Sequence, residues 1–158
     1  MSPPPLWTAD RLRDKGPDVS GNGTPREGSD MVSRVIPVDV FDLVIFGGTG
    51  DLARRKILPG LFRRFLAGQM SAESRIVGAA RSALDADAWR AMIREGIEQF
   101  GGPEARDSAA LDAFLAHLAY VAIDATGEDG WARLKDLMRD GSVRAFYFSV
   151  APSLFGPL

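Results

Sequence analysis

The sequence predicts an α/β fold, a doubly wound and mostly parallel sheet with helices on both faces. Two observations carry this expectation. Short runs almost wholly made of apolar residues suit strands buried on both faces. They alternate with longer segments whose apolar residues return every three or four positions, the strand–helix alternation of a parallel sheet. At 158 residues, 46% hydrophobic and 25% charged, the chain has the size and composition of one globular domain with little left over.

Along the chain, residues 1–36 are rich in Pro and Gly, with scattered charges and no periodic apolar pattern. They are expected to form a disordered tail, with Trp7 as an exposed residue in it. Met31 stands just before the ordered part and is a candidate natural start of translation. The ordered domain is expected over residues 37–158. It opens with a strand over residues 38–46, whose apolar end is Val44-Ile45-Phe46. Gly47-Gly48-Thr49-Gly50 is the turn, and a helix begins near Asp51. Pro59 either starts a second helical segment or kinks a continuous one. Leu58, Leu61, Phe62, Phe65 and Leu66 keep helical spacing, and Gly68 ends the helix.

A second strand is expected at residues 75–80, followed by Arg81-Ser82. Asp85 is placed to cap a helix that buries Trp89, Met92, Ile93, Ile97 and Phe100, with Gly101 as its terminator. A third helix from Ser108 presents Leu111, Phe114, Leu115 and Leu118. Residues 120–123 read as a third strand. Trp131, Leu134, Leu137 and Met138 mark a fourth helix ended by Gly141, and residues 145–150 read as the last strand. No internal repeat is evident.

The glycine turn carries the chemistry. In a dinucleotide fold the first glycine permits the tight turn out of the strand. A later one lets the backbone approach the pyrophosphate, and a small third residue lets the helix pack on the sheet. Gly47, Gly50 and Ala53 supply these in a Gly-x-x-Gly-x-x-Ala spacing, with Gly48 adding flexibility and Thr49 offering a hydroxyl and an amide. An anion would sit where helix amides and the positive end of the helix dipole converge. A glycine cluster alone is a weak signal. Its place between the first strand of an alternating pattern and a helix makes it a Rossmann-like nucleotide site. The Gly-x-x-x-x-Gly-Lys-Ser/Thr phosphate loop is excluded, because no such lysine pair follows.

NAD sites usually carry Asp or Glu at the end of the second strand, bonded to the ribose 2′-hydroxyl. Here that strand runs into Arg81-Ser82, with no carboxylate. An arginine there pairs with a 2′-phosphate through a charge-assisted fork, so NADP is the expected cofactor. Arg54, Arg55 and Lys56 lie in the first turns of the helix, where positive charge opposes the dipole. Either a bound polyanion or a solvated helix face accounts for them. Asp51 suits the dipole directly and can be a capping residue.

Other classes are excluded by composition. There is no cysteine, so disulfides, thiolate catalysis and thiolate metal sites are absent, and His117 is the one histidine. No metal site is expected. A formal net charge of -2 gives no electrostatic case for nucleic acid or an anionic membrane as partner. No apolar run is long enough to span a bilayer, and the first thirty residues lack a secretory core. A cytoplasmic protein is expected.

The run Gly47-Gly48-Thr49-Gly50-Asp51-Leu52-Ala53-Arg54-Arg55-Lys56-Ile57-Leu58-Pro59 closely resembles the N-terminal signature of the glucose-6-phosphate dehydrogenases. Ile76-Val77-Gly78-Ala79-Ala80-Arg81-Ser82 is similar to the family's second strand and its NADP arginine. The segment from Phe146 to Phe155 is similar to its strand and loop beside the nicotinamide. The resemblance covers essentially everything from Phe41 onward.

It implies a dinucleotide domain followed by a larger α+β domain, and hydride transfer from glucose 6-phosphate to NADP in a complete enzyme that is a homo-oligomer. By position, Gly47, Gly48, Thr49, Gly50, Asp51 and Leu52 would meet the pyrophosphate, and Arg81 the 2′-phosphate. Val150, Ala151 and Pro152 would border the nicotinamide, and Lys56 would lie near cofactor and substrate. The family often has Pro-Pro at Ala151-Pro152 and tyrosine at Phe155, departures that concern the nicotinamide loop.

Hydride removal from a sugar hydroxyl needs a general base, usually histidine. His117 lies on a helix in the pattern, away from the strand ends where ligands bind, and reads as structural. No catalytic residue is therefore expected in these residues, and the family places its own downstream. The chain is expected to be a truncated protein or a fragment that does not turn over substrate. A non-catalytic NADP-binding or sensing module is the alternative. A short-chain reductase is disfavoured, because neither Tyr120 nor Tyr147 has lysine four residues later.

Overall fold

A computed structural model describes residues 38–124 and 126–154. The chain divides into two units, Met1–Ser33 and Arg34–Leu158, and the described residues all belong to the second. The expected tail, with Trp7 and Met31, lies outside the described residues, as does Phe155.

The strands are β1 (Phe41–Phe46), β2 (Arg75–Ala80), β3 (Leu118–Ala122) and β4 (Val143–Phe148). They form one four-stranded sheet in the order β3-β2-β1-β4, and each pairing is parallel. The helices are α1 (Leu58–Leu66), α2 (Ala86–Phe100), α3 (Ser108–Leu115) and α4 (Trp131–Leu137). Side chains alternate across each strand, so successive residues feed opposite layers. Ile45, Ile76, Leu118 and Tyr120 pack with Phe62 of α1, Trp89, Ile93 and Ile97 of α2, and Leu111 and Phe114 of α3. Val44, Phe46, Val77, Ala79 and Val121 face the other way, onto Leu134 and Trp131 of α4. The sheet is thus doubly wound, as the alternation predicts.

Helix ends follow local chemistry. The Asp85 carboxylate accepts from the Ala88 amide at 2.7 Å and caps α2. Asp107 does the same for α3 through the Ala110 amide, at 3.0 Å. Gly68 takes a left-handed φ of 68° just after α1, as a helix-ending glycine should. At the end of α2 the left-handed residue is Gly102, while Gly101 stays helical.

Several boundaries differ from the sequence expectation. Helical geometry runs on from Asp51 into α1, but Ala53–Ile57 is a π-helical stretch, with the Leu58 amide bonded to the Ala53 carbonyl five residues back. Pro59 has no N–H to return to the preceding turn, and the wider turn before it accommodates that. Pro59 thus stands in the first turn of α1, the second helical segment of the two alternatives, and α1 follows the π-helical stretch without a break.

Leu118 belongs to β3 rather than to the third helix. Its spacing from Phe114 and Leu115 fits a helix, but it also alternates with Tyr120, and the Ala116–His117 turn decides for the strand. β3 consequently starts two residues before Tyr120. β1 starts at Phe41 rather than at residue 38, and β4 covers Val143–Phe148, leaving Ser149 and Val150 to the following loop.

Asp42, inside β1, is fully buried yet charged. It accepts from the Arg139 amide at 2.7 Å and from the Arg139 guanidinium at 2.5 and 3.1 Å. The pair ties the segment between α4 and β4 to the start of β1. Burial opposes ionisation of Asp42, but the Arg139 side-chain and backbone bonds and the Arg139 and Arg75 charges outweigh it. The carboxyl is held below its ordinary value.

A carboxyl lowered in the folded state contributes stability that is complete above its unfolded pKa of about 3.9 and is lost as pH falls through the lower folded value. Arg139→Ala should cost about 2–3 kcal/mol at neutral pH, below the fully buried range because the arginine keeps 31% exposure. In urea unfolding the gap to wild type should narrow below about pH 4. A gap that does not change with pH would show that Asp42 is not carrying it as a carboxylate.

Candidate functional site

The sheet order places β1 between β2 and β4, and the crossover direction reverses at the carboxyl ends of β1 and β4. In open parallel sheets ligands bind at such a switch point. The turn after β1 occupies it. Gly47 has a φ of 80°, its amide donates to the Ala79 carbonyl at 2.8 Å, and the Gly48 amide donates to the same oxygen at 3.2 Å. A side chain at Gly47 would collide with the Ser149 carbonyl oxygen, so the turn lies directly against the loop after β4. The Gly50 amide closes the turn on the Gly47 carbonyl at 2.8 Å, and the Arg54 amide reaches back to Gly50 at 3.1 Å. Asp51 and Leu52 lie in the first helical turn, whose amides have no carbonyl partner within the helix.

A cleft of about 620 Å³ opens there, within the usual range for small-molecule sites. Its wall comes from four strand ends: Gly47, Thr49 and Gly50 after β1, Arg81 and Ser82 after β2, Asp124 and Thr126 after β3, and Val150 and Ala151 after β4. Six of the residues singled out by sequence thus meet around one space. Gly48 does not line the cleft. It lies behind the turn, packed on the backbone of Gly78 and Ala79. Asp51 and Leu52 are exposed at the helix start, and Pro152 begins a short 3-10 turn, Pro152–Leu154, just past the wall.

The basic run separates into different roles. Arg55 pairs with Asp51 at 3.2 Å and lies over the Phe100 ring at 4.9 Å, so Asp51 serves an exposed ion pair. Arg54 is half-buried, and its inaccessible Nε meets no acceptor. Lys56 is exposed and outside the cleft wall. His117 lies in the turn between α3 and β3 rather than on a helix. Its Nδ1 is 2.8 Å from the Ser74 carbonyl oxygen, and its ring meets Phe65 edge-on. Ser74 precedes β2, so His117 sits at the opposite end of the sheet from the cleft, where a base could not reach a ligand.

Sequence reasoning missed Asp124 and Thr126. The Asp124 carboxylate accepts from the Thr126 amide at 3.0 Å and from its hydroxyl at 2.7 Å. These bonds, with the Arg81 charge across the cleft, hold the Asp124 carboxyl below its ordinary value. Asp two residues before Thr, directly after an apolar strand, is an Asx-turn signal, and its strand end is where ligands gather. Trp89 was legible only as core. Its indole also donates to the Gly48 carbonyl at 3.0 Å, directly behind the turn.

Fold and cleft together define a dinucleotide-binding domain of the Rossmann class. Residues 44–158 match the family model described as "Glucose-6-phosphate dehydrogenase, NAD binding domain". The chain belongs to the glucose-6-phosphate dehydrogenase family, as its nicotinamide-dinucleotide-binding domain. It is 41% identical over 130 residues to glucose-6-phosphate 1-dehydrogenase of Rhizobium meliloti (strain 1021), covering 81% of this chain and 26% of that protein. The Mycolicibacterium smegmatis enzyme is 42% identical over 128 residues, covering 77% of this chain and again 26% of the relative. The crystal structure of glucose-6-phosphate 1-dehydrogenase from Mycobacterium avium superposes with a TM-score of 0.67 at 30% identity, over 75% of this chain and 25% of that one. The chain thus spans about a quarter of the length of these relatives.

Gly47→Ala should lower stability by at least about 2 kcal/mol and abolish dinucleotide binding, because both the left-handed backbone and the Ser149 carbonyl oppose a methyl group. Gly60→Ala, in α1 with only an arginine tip nearby, should leave binding intact and stability equal or slightly raised. Thermal melts with a titration of each variant check both. Equal tolerance at the two positions would contradict the close approach.

Proposed function

We propose that this chain is the NADP-binding portion of a glucose-6-phosphate dehydrogenase. The whole protein would oxidise D-glucose 6-phosphate to 6-phospho-D-glucono-1,5-lactone with NADP, the first step of the oxidative pentose phosphate pathway. The observation that carries the choice of NADP is Arg81, which shares the cleft with the glycine turn from the end of β2. The one carboxylate on the wall, Asp124, comes from one strand further out.

The residues present fit the cofactor. The turn from Gly47 to Gly50 leaves room for a phosphate against the backbone, and the amides of Thr49, Asp51 and Leu52 would receive the pyrophosphate charge. Gly48 gives the turn its close fit on β2. Arg81 would fork onto the 2′-phosphate. Val150, Ala151 and Pro152, after β4, would border the nicotinamide and keep water from one side of it. Lys56, one helical turn along from the pyrophosphate position, would face the substrate side in the whole protein. When bound, NADP supplies the hydride acceptor. The proton from the sugar hydroxyl needs a base, and His117 is not placed to take it.

The binding half of the chemistry is therefore what these residues carry. A non-catalytic NADP-binding module remains the second reading, favoured by the distance of His117 from the cleft. Among the described residues no strand pairs with the outer side of β4, where Val143 is 59% and Phe146 47% exposed, and further chain of the whole protein would cover these side chains. We further propose that the whole protein is a cytoplasmic homo-oligomer without nucleic-acid or membrane partners. Among the described residues no helix is long and apolar enough to cross a membrane.

Titration should show tighter binding of NADP than of NAD, and Arg81→Ala should remove roughly tenfold to a hundredfold of that preference. Equal wild-type affinities would overturn the 2′-phosphate role. The 158-residue chain with glucose 6-phosphate and NADP should form no NADPH above background. Turnover would place a base within these residues.

A further inference from the structure

Two aromatic side chains that bind no ligand themselves reach both cofactor-holding segments from behind. Trp89 of α2 is wholly buried, and its indole N–H donates to the Gly48 carbonyl at 3.0 Å. Tyr120 of β3, 6% exposed, stacks on the Trp89 ring with centroids 5.5 Å apart. Its hydroxyl donates to the Ser82 carbonyl at 2.7 Å, and a longer contact of 3.4 Å reaches the Ala80 carbonyl. Gly78 makes this stack possible, because a side chain there would occupy the space of the Trp89 ring.

The consequence follows from peptide geometry. In a trans peptide the C=O and the following N–H point in opposite directions. Trp89 draws the Gly48 carbonyl into the core, so the Thr49 amide is turned outward, to the side where the cleft lies. Tyr120 adds a side-chain donor to the Ser82 carbonyl, which also accepts from the Leu84 amide, and touches the Ala80 carbonyl, which the Ile123 amide holds at 2.9 Å, so the peptides on both sides of Arg81 are braced. Burial pushes the Tyr120 phenol up, so its hydroxyl stays protonated and keeps donating.

We infer that Trp89 and Tyr120 are positioning residues, Trp89 aiming the pyrophosphate turn and so setting the affinity for either dinucleotide, and Tyr120 aiming Arg81 and so setting the preference for NADP over NAD. This rests on the dinucleotide reading of the cleft. The two donors act on different parts of the cofactor, and the effects of losing them differ in kind. A group that aims the pyrophosphate turn affects both dinucleotides alike, since both carry the pyrophosphate. A group that aims Arg81 affects only the dinucleotide with a 2′-phosphate.

The test is calorimetric titration of the 158-residue chain with NADP and with NAD, well below each variant's melting temperature. Trp89→Phe keeps the stack and loses the donor. It should weaken both dinucleotides about tenfold and leave their ratio unchanged. Tyr120→Phe should leave NAD affinity within about twofold and reduce the NADP preference about fivefold. Ile93→Val, in the same core but at a side chain with no hydrogen bond to give, controls for lost stability and should move neither affinity.

Unchanged affinities and ratio in both aromatic variants would overturn the inference while leaving the dinucleotide reading intact. So would a loss in Ile93→Val matching theirs. Absence of wild-type binding to either dinucleotide would overturn both readings. If Trp89→Phe does not fold, Tyr120→Phe decides alone: a retained NADP preference contradicts the positioning role.

Discussion

The backbone after β1 passes so close to its neighbours that no side chain fits at Gly47. The Gly47 and Gly48 amides both hang on the Ala79 carbonyl of β2, and the carbonyl of Ser149 after β4 fills the space a Cβ would need. The turn is therefore welded to the strands on either side of β1, and its position follows from the sheet order rather than from the turn alone. Because β1 is central, the strand ends that surround it bring the loops after β2, β3 and β4 to the same space. Arg81, Asp124 and Val150 face one cleft for that reason, although they are far apart in the chain.

What lies beneath the turn matters as much as what lies above it. Trp89 and Tyr120 fill the layer behind the cleft, and the Trp89 indole gives the Gly48 carbonyl a buried partner, whose loss would cost more than an ordinary hydrogen bond gains. At the opposite end of the same strands Asp42 and Arg139 hold the lead into β4, the edge strand of the sheet among the described residues. The sheet is tied at both ends of β1, and the functional end has the tighter backbone contacts. The glycine turn thus sits on packed elements, which is what precise charge recognition there would require.

Much of this was legible in the sequence because local chemistry and global fold agree. The strand at 75–80, the Asp85 cap and the glycine turn were all found where expected, each from a pattern with one physical reading. Leu118 was misplaced because its spacing satisfies a helix and a strand alike, and only the turn at Ala116–His117 separates them. The π-helical stretch before Pro59 was not legible, since the sequence shows that a donor is missing but not how the preceding turn absorbs it. Asp124 and the second role of Trp89 were hidden for another reason. Their meaning depends on which strand ends become neighbours, and neither a lone Asp after a strand nor a lone Trp in a helix carries that information.

That the turn after β1 holds a pyrophosphate is open to direct observation. Amide chemical shifts of the 15N-labelled chain, followed while NADP is added, report which N–H groups meet the cofactor. The largest movements are expected at Thr49, Gly50, Asp51 and Leu52, followed by Arg81 and Val150, with His117 unmoved. Shifts centred on the His117 end of the sheet, or a turn whose amides do not respond while the dinucleotide binds, would contradict it.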